Sequence, residues 1–81
     1  MKVEPHKRLF WFLKEGARLN LEKPEQRDLY VQQVLSHGSA HDVKQLLVTV
    51  PPAVFRESFR IVEPFLPLDV KNFWEHYFAD H

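Results

Sequence analysis

Apolar residues recur at helical spacing in segments that begin near a proline and end at a glycine or another proline. The segment from Pro24 to Gly38 carries one apolar stripe, which consists of Leu29–Val31, Val34 and Leu35. Proline is favoured in the first turn of a helix, and glycine commonly ends a helix by adopting a left-handed conformation. The pattern therefore predicts a helix over residues 24–38 that ends at a left-handed Gly38.

The clearest helical periodicity follows directly, from Ser39 to Val50. Serine is a preferred N-cap residue, and Asp42 stands three residues later at the second position of a capping box, where Glu or Gln is more usual. The stripe expected to face the core follows the i, i+3, i+4, i+7 spacing and comprises Ala40, Val43, Leu46, Leu47 and Val50. We predict a second helix here.

Two more helices are predicted in the second half of the chain, on either side of a short apolar link between Pro64 and Pro67. Pro51 and Pro52 end one helix and begin the next, because proline cannot donate the hydrogen bond that a helix interior requires. In the segment that follows, the apolar residues at helical spacing are Val54, Phe55, Phe59 and Val62. The last segment has a wide aromatic face, which consists of Val70, Phe73, Trp74, Tyr77 and Phe78.

The N-terminal segment has two interpretations. Pro5 and Gly16 suit the ends of a helix over residues 5–15, but the short aromatic run Leu9–Leu13 also fits a strand. Residues 19–23 are typical of a connector, and no segment shows strand alternation between hairpin turns. We therefore expect an all-α fold, a compact array of four to five short helices in a single domain spanning residues 1–81.

Composition limits the classes of protein that fit. The 81 residues contain no cysteine, and no segment approaches the roughly 20 apolar residues of a membrane span, so we expect a soluble cytoplasmic protein. The net charge of zero disfavours a strong nonspecific nucleic-acid binder. Up to Lys23, six basic residues accompany three acidic ones, whereas from Ile61 onward four acidic residues accompany one basic residue. The two ends either offset each other or complement a partner.

The candidate chemistry is sparse. His37 and His41 are four residues apart, but Gly38 and Ser39 interrupt the helix that would turn both imidazoles toward one metal ion. The chain has no glycine-rich phosphate loop and no nucleophile elbow. We predict no catalytic, cofactor or metal site, and we interpret the histidine pair as part of a helix–helix junction.

The sequence contains eleven aromatic residues, which is a large number for so small a chain. Some rings fill the core, and exposed rings commonly bind partners. The residues that we expect to contact a partner are Trp11, Phe12, Trp74 and Tyr77. Alternatively, the aromatic residues form a core whose outer rings are partly exposed to solvent, and Trp11 packs on Trp74 to join the two termini.

Four short motifs in this order resemble a group of short bacterial helical proteins: Leu9–Trp11 (LFW), Val34–Gly38 (VLSHG), Asp42–Leu47 (DVKQLL) and Asn72–Trp74 (NFW). The chain departs from that pattern in having Gln33 where the group has Arg, and in lacking an acidic stretch after the FW pair. The resemblance implies an antitoxin-like partner of a predicted nucleotidyltransferase toxin, because such toxins are often encoded beside these proteins.

Two functional hypotheses follow. The first is a non-enzymatic protein-binding module whose partner is another protein, such as a nucleotidyltransferase-type toxin. The second is a helix-turn-helix DNA-binding protein, in which helices 39–50 and 52–62 form the motif and Lys44, Arg56 and Arg60 bind DNA. A homodimer is compatible with both hypotheses.

Overall fold

The fold was analysed in a computed structural model, which describes residues 2–3, 10 and 18–80. Four α-helices follow one another: α1 (Pro24–His37), α2 (Ala40–Thr49), α3 (Pro52–Val62) and α4 (Leu68–Asp80). A 3₁₀ turn, Glu63–Phe65, lies between α3 and α4. The predicted all-α fold class is therefore confirmed, whereas the helix or strand expected over residues 5–15 lies, apart from Phe10, outside the described residues.

A small strand pair is the element that the sequence pattern did not predict. Lys2–Val3 (β1) pairs antiparallel with Leu19–Asn20 (β2), so that Lys2 lies opposite Asn20 and Val3 opposite Leu19. Two residues are too few to show the alternation by which a strand is recognised. The backbone amide of Asn20 also donates to Oε1 of Gln26 at 2.7 Å, which ties β2 to the first turn of α1.

The junction between α1 and α2 forms a capping box, as predicted. The Ser39 amide donates to Oδ2 of Asp42 at 2.8 Å, and the Asp42 amide donates to the Ser39 hydroxyl at 3.4 Å. Asp42 thus serves where Glu or Gln is more usual. His37 is the last residue of α1 and His41 belongs to α2, which places the two histidines on different helices on either side of the junction.

The expected left-handed conformation of Gly38 is wrong. Gly38 has φ −75° and ψ 156°, an extended backbone that any residue adopts. Glycine is needed there for a different reason, since a Cβ atom would lie 2.4 Å from the Val34 carbonyl oxygen and 3.1 Å from the Asp42 Cβ. The close passage of the chain over the end of α1, rather than backbone handedness, accounts for the glycine.

The core lies between α1 and α3, with α2, β2 and α4 packed around them. The buried residues of α1 are Tyr30, Val31, Val34 and Leu35, and those of α3 are Phe55, Ser58, Phe59 and Val62. Both sets follow helical spacing and largely match the predicted apolar stripes, but Leu29 and Val54 are only half-buried and Ser58 was not expected. The fully buried Ser58 hydroxyl donates to Oδ1 of Asp28 at 2.5 Å, which satisfies a polar group that would otherwise be costly inside the core.

Two predicted core stripes are narrower than expected. In the stripe predicted for α2, Leu46 and the C-cap residue Val50 are buried and Val43 is half-buried, whereas Ala40 is exposed and Leu47 is 38% exposed. In α4 Trp74 is buried, whereas Phe73 is 61% exposed. The reason is that each of these helices lies at the edge of the bundle and contacts it along one narrow face.

Candidate protein-binding surface

A groove lies between α3 and α4 and consists of two adjoining cavities that share Arg56 and Phe78. Aromatic rings fill the space between the two helices. The Phe55 ring makes edge contacts with Trp74 and Phe78, each at a centroid distance of 5.2 Å, and Phe59 contacts Phe78 at 5.1 Å. We call these two cavities together the α3–α4 groove.

The first cavity is largely apolar and has a volume of about 420 Å³. Besides the two shared residues, it is lined by Leu47, Val50, Pro52, Ala53, Phe55 and Tyr77. Val50 and Phe55 are buried and form its floor, while Leu47 and Ala53 are exposed at its rim. The exposure of Leu47, unexpected from its helical spacing, is thus explained by its position beside this opening.

The second cavity is charged and has a volume of about 320 Å³. Its lining, besides the shared residues, consists of Phe59, Arg60, Glu63, Glu75 and Ala79. Arg56 and Arg60 are one helical turn apart on α3, so they project from the same side of the helix. The groove therefore changes from apolar at one end to basic in the middle and acidic at the other end.

Arg56 is held in place by the end of α4. Its Nη2 atom donates to the Phe78 carbonyl oxygen at 3.3 Å, and its Cζ atom lies 5.4 Å from the centre of the Phe78 ring. The carbonyl belongs to the last turn of α4, where carbonyl groups have no partner within the helix. Arg56 thus supports the end of α4, and its guanidinium remains exposed at the middle of the groove.

Glu63 and Glu75 form an acidic pair at the far end of the groove. A hydrogen bond from the protonated Glu63 carboxyl to Glu75 raises the pKa of Glu63, and desolvation and the Glu75 charge add to this rise, while Lys71 opposes it. The charge of Glu75 thus disfavours ionisation of Glu63, because like charges repel. An anion bound in the groove is therefore disfavoured at this end.

A second exposed surface is the apolar corner, which we define as Pro64, Phe65, Pro67 and Leu68. Phe65 is 69% exposed and Leu68 is 70% exposed, and both prolines are exposed as well. Leu66, between them, is buried and anchors the corner to the core. Since proline restricts the backbone, such a surface loses little conformational entropy when it binds.

The residues predicted to contact a partner differ in their burial and in their position relative to the groove. Trp74 is 6% exposed and packs in the core, where its indole contacts Phe55, so it offers little surface to a partner. Tyr77 is half-buried and lines the apolar cavity. Trp11 and Phe12, and with them the expected packing of Trp11 on Trp74, lie outside the described residues.

The residues of the DNA-binding hypothesis are exposed but do not line one site. Arg56 and Arg60 line the groove together with two glutamates, while Lys44 lies on α2 and lines neither cavity. Only Val50 and Pro51 separate α2 from α3, fewer than the roughly three to four residues typical of the motif. DNA binding by these three residues stays a prediction.

Residues 18–80 contain no group of three or more His, Asp or Glu side chains that could hold a metal ion. Nor does the described chain include a helix with the length and apolar character needed to cross a membrane.

Sequence reasoning missed the apolar corner and the groove. Phe65 and Leu68 stand beside prolines that prevent a continuous helix, so no periodic stripe identified them. A signal was nevertheless present, since all five residues from Pro64 to Leu68 are apolar. The groove had no sequence signal, because it depends on the way α3 and α4 pack.

Comparisons with protein families, with curated proteins and with solved structures gave no significant match to this chain.

Proposed function

We propose that this chain is a non-enzymatic protein-binding module and that its partner is another protein, as in a toxin–antitoxin pair with a nucleotidyltransferase-type toxin. The observation that carries the proposal is the apolar corner, where Phe65 and Leu68 are each about two thirds exposed between rigid prolines. Large apolar side chains grouped on a surface are a common feature of protein interfaces. The toxin as partner is supported by the motif resemblance alone.

The apolar corner has the physical features that a stable contact requires. Covering an exposed Phe or Leu side chain contributes roughly 1.5–3 kcal/mol when the burial is complete. The buried Leu66 and the two prolines hold the corner in one conformation, so little of this gain is lost to ordering.

The test is affinity capture from the native cell with a nuclease-treated extract and identification of the retained proteins. Three versions of the protein are compared: the wild type, the double variant Phe65→Ser/Leu68→Ser, and the matched control Val48→Ser. Val48 lies on α2 and is 84% exposed, so the control also removes an exposed apolar side chain but leaves the corner intact. Circular dichroism establishes that all three versions are folded.

We expect one protein at near-equal stoichiometry with the wild type and with Val48→Ser, and its loss with the double variant. Retention by the double variant at the wild-type level would overturn the role of the corner. If no protein is retained by any version, and nucleic acid appears only when nuclease is omitted, the DNA-binding hypothesis replaces the proposal. A nucleotidyltransferase as the retained protein would support the toxin–antitoxin assignment.

A further inference from the structure

The α3–α4 groove is long enough to bind an elongated ligand. Its lining extends along α3 from Pro52 to Glu63, which at a rise of about 1.5 Å per residue corresponds to roughly 16 Å, or three helical turns. Sites for small molecules enclose most of the ligand surface, whereas both cavities of this groove are open along one side. A segment of a polypeptide fits this shape better than a compact molecule does.

The apolar cavity is suited to one bulky side chain. Its floor consists of Val50 and Phe55, and its walls include the rings of Tyr77 and Phe78. Aromatic rings favour offset and edge contacts with another ring, which adds to the gain from burial. An aromatic or branched aliphatic side chain is therefore the group that this end of the groove best accommodates.

The charged residues of the groove determine which second group the ligand carries beside the apolar side chain. The Arg56 guanidinium is exposed, is already oriented by the Phe78 carbonyl and ring, and forms no ion pair with a described carboxylate. A guanidinium has five N–H donors, of which one is used here, so the others are available to a carboxylate. Beyond Arg60, the Glu63–Glu75 pair repels an anion, which confines the carboxylate to the two arginines, and of these only Arg56 also lines the apolar cavity.

We propose that the α3–α4 groove binds a segment of another protein that presents a bulky apolar side chain and, about one helical turn away, a carboxylate. The apolar side chain enters the cavity floored by Val50 and Phe55, and the carboxylate accepts hydrogen bonds from Arg56. This proposal rests on the proposed protein-binding function and adds the chemistry of the partner segment and a second contact surface, distinct from the apolar corner.

The probe is a labelled, helix-forming peptide of about twelve residues that carries one Phe and, four positions later, one Glu. Three companion peptides replace Glu by Gln, Glu by Lys, or Phe by Ala. Binding to the intact protein is measured by NMR titration, which reports weak binding and identifies the amides that respond. We expect the amides of α3 and α4 around Arg56 and Phe78 to shift.

The expected order of affinity follows from the contacts. The Gln peptide should bind about three- to fivefold more weakly than the Glu peptide, and the Lys peptide about tenfold more weakly, because the pair with Arg56 is exposed to solvent. The Ala peptide should bind at least about tenfold more weakly, since the apolar side chain supplies most of the buried area. Equal binding of the Glu and Lys peptides would overturn the role of Arg56.

Variants of the protein provide the matched controls. Arg56→Glu should reverse the preference, so that the Lys peptide binds more tightly than the Glu peptide, whereas Lys44→Glu makes the same charge change outside the groove and should preserve the original order. Because Arg56 also supports the end of α4, a second variant, Ala53→Trp, blocks the apolar cavity from its exposed rim without removing any contact. Ala53→Trp should abolish binding of all four peptides.

The outcomes separate this proposal from the proposed function. If the native cell supplies a partner that requires the apolar corner but the groove binds none of the peptides, the groove proposal is wrong and the binding-module proposal stands. If the peptides bind in the groove with the expected order but no cellular protein is captured, the groove chemistry stands and the binding-module proposal fails. Peptide binding that Ala53→Trp leaves unchanged would contradict the groove proposal directly.

Discussion

Substitution of Gly38 by alanine is the prediction that depends most directly on the geometry between α1 and α2. The Gly38 backbone, with φ −75° and ψ 156°, is compatible with alanine. The added Cβ atom, however, would lie 2.4 Å from the Val34 carbonyl oxygen, about 1 Å short of an ordinary contact. The obstacle is therefore steric, and backbone atoms on both sides must move to remove it.

The magnitude follows from three contributions. Overpacking of this kind costs about 1–3 kcal/mol. The same Val34 carbonyl oxygen accepts the Gly38 amide at 2.8 Å, so a shift that relieves the contact also weakens a hydrogen bond that contributes about 1 kcal/mol. The lower entropy of the unfolded alanine chain offsets about 0.4–1 kcal/mol. We expect a net loss of about 1–3 kcal/mol and a Tm that is lower by roughly 5–20 °C.

Thermal and urea unfolding, followed by circular dichroism, measures the change for Gly38→Ala and Gly38→Asn, with Gln45→Ala in the exposed part of α2 as the control. Since any Cβ meets the same carbonyl, Gly38→Asn should destabilise at least as much as Gly38→Ala. A left-handed Gly38 would produce the opposite order, because asparagine tolerates that conformation better than alanine does. Unchanged stability of Gly38→Ala, or wild-type stability of Gly38→Asn, would refute the reasoning.

Three further predictions concern the polar contacts of the fold. Ser39→Ala removes the N-cap of α2 and should lower the free energy of unfolding in urea by about 0.5–2 kcal/mol; no change would mean that the capping box contributes nothing. Ser58→Ala leaves the Asp28 carboxylate without its buried donor and should cost about 1–3 kcal/mol in the same assay, so a neutral result would contradict the importance of this bond. Glu63→Gln should raise the Tm at pH 7. The raised pKa of Glu63 means that its contribution to stability is present at low pH and is lost as the pH rises through that pKa, so the gain should vanish at low pH, where the wild-type Glu63 is protonated. A gain of equal size at low pH would refute the assignment to the Glu63–Glu75 pair.

The pH dependence of the acidic pair also bears on the groove. Ionisation of Glu63 adds negative charge at one end of the groove, opposite to the sign that Arg56 supplies in the middle. This negative charge keeps a carboxylate of a bound segment away from that end of the groove. The effect depends on the packing of α3 against α4, since Glu63 and Glu75 belong to different elements.

Local sequence signals determined the helices of this protein. Proline at the start of α1 and α3, the Ser39–Asp42 capping box, and the i, i+3, i+4, i+7 stripes of α1 and α3 all involve residues within two turns of one another. These signals lie within a short stretch of sequence, which is why the pattern predicted the bounds of these helices, although packing of the apolar stripes supplies most of the stability of helices this short. The all-α class followed from them.

Only the tertiary structure decided which parts of those helices are covered. The packing of α4 on α3 buries Trp74, leaves Phe73 and Leu68 exposed, and places Arg56 on the Phe78 carbonyl. The close passage of Gly38 over the end of α1 likewise depends on where α2 begins. Helical spacing gives the direction of a side chain around its own axis, but the neighbour that lies in that direction depends on residues far away in the chain. The groove therefore emerges from packing, and packing also decides which of the apolar residues from Pro64 to Leu68 are exposed.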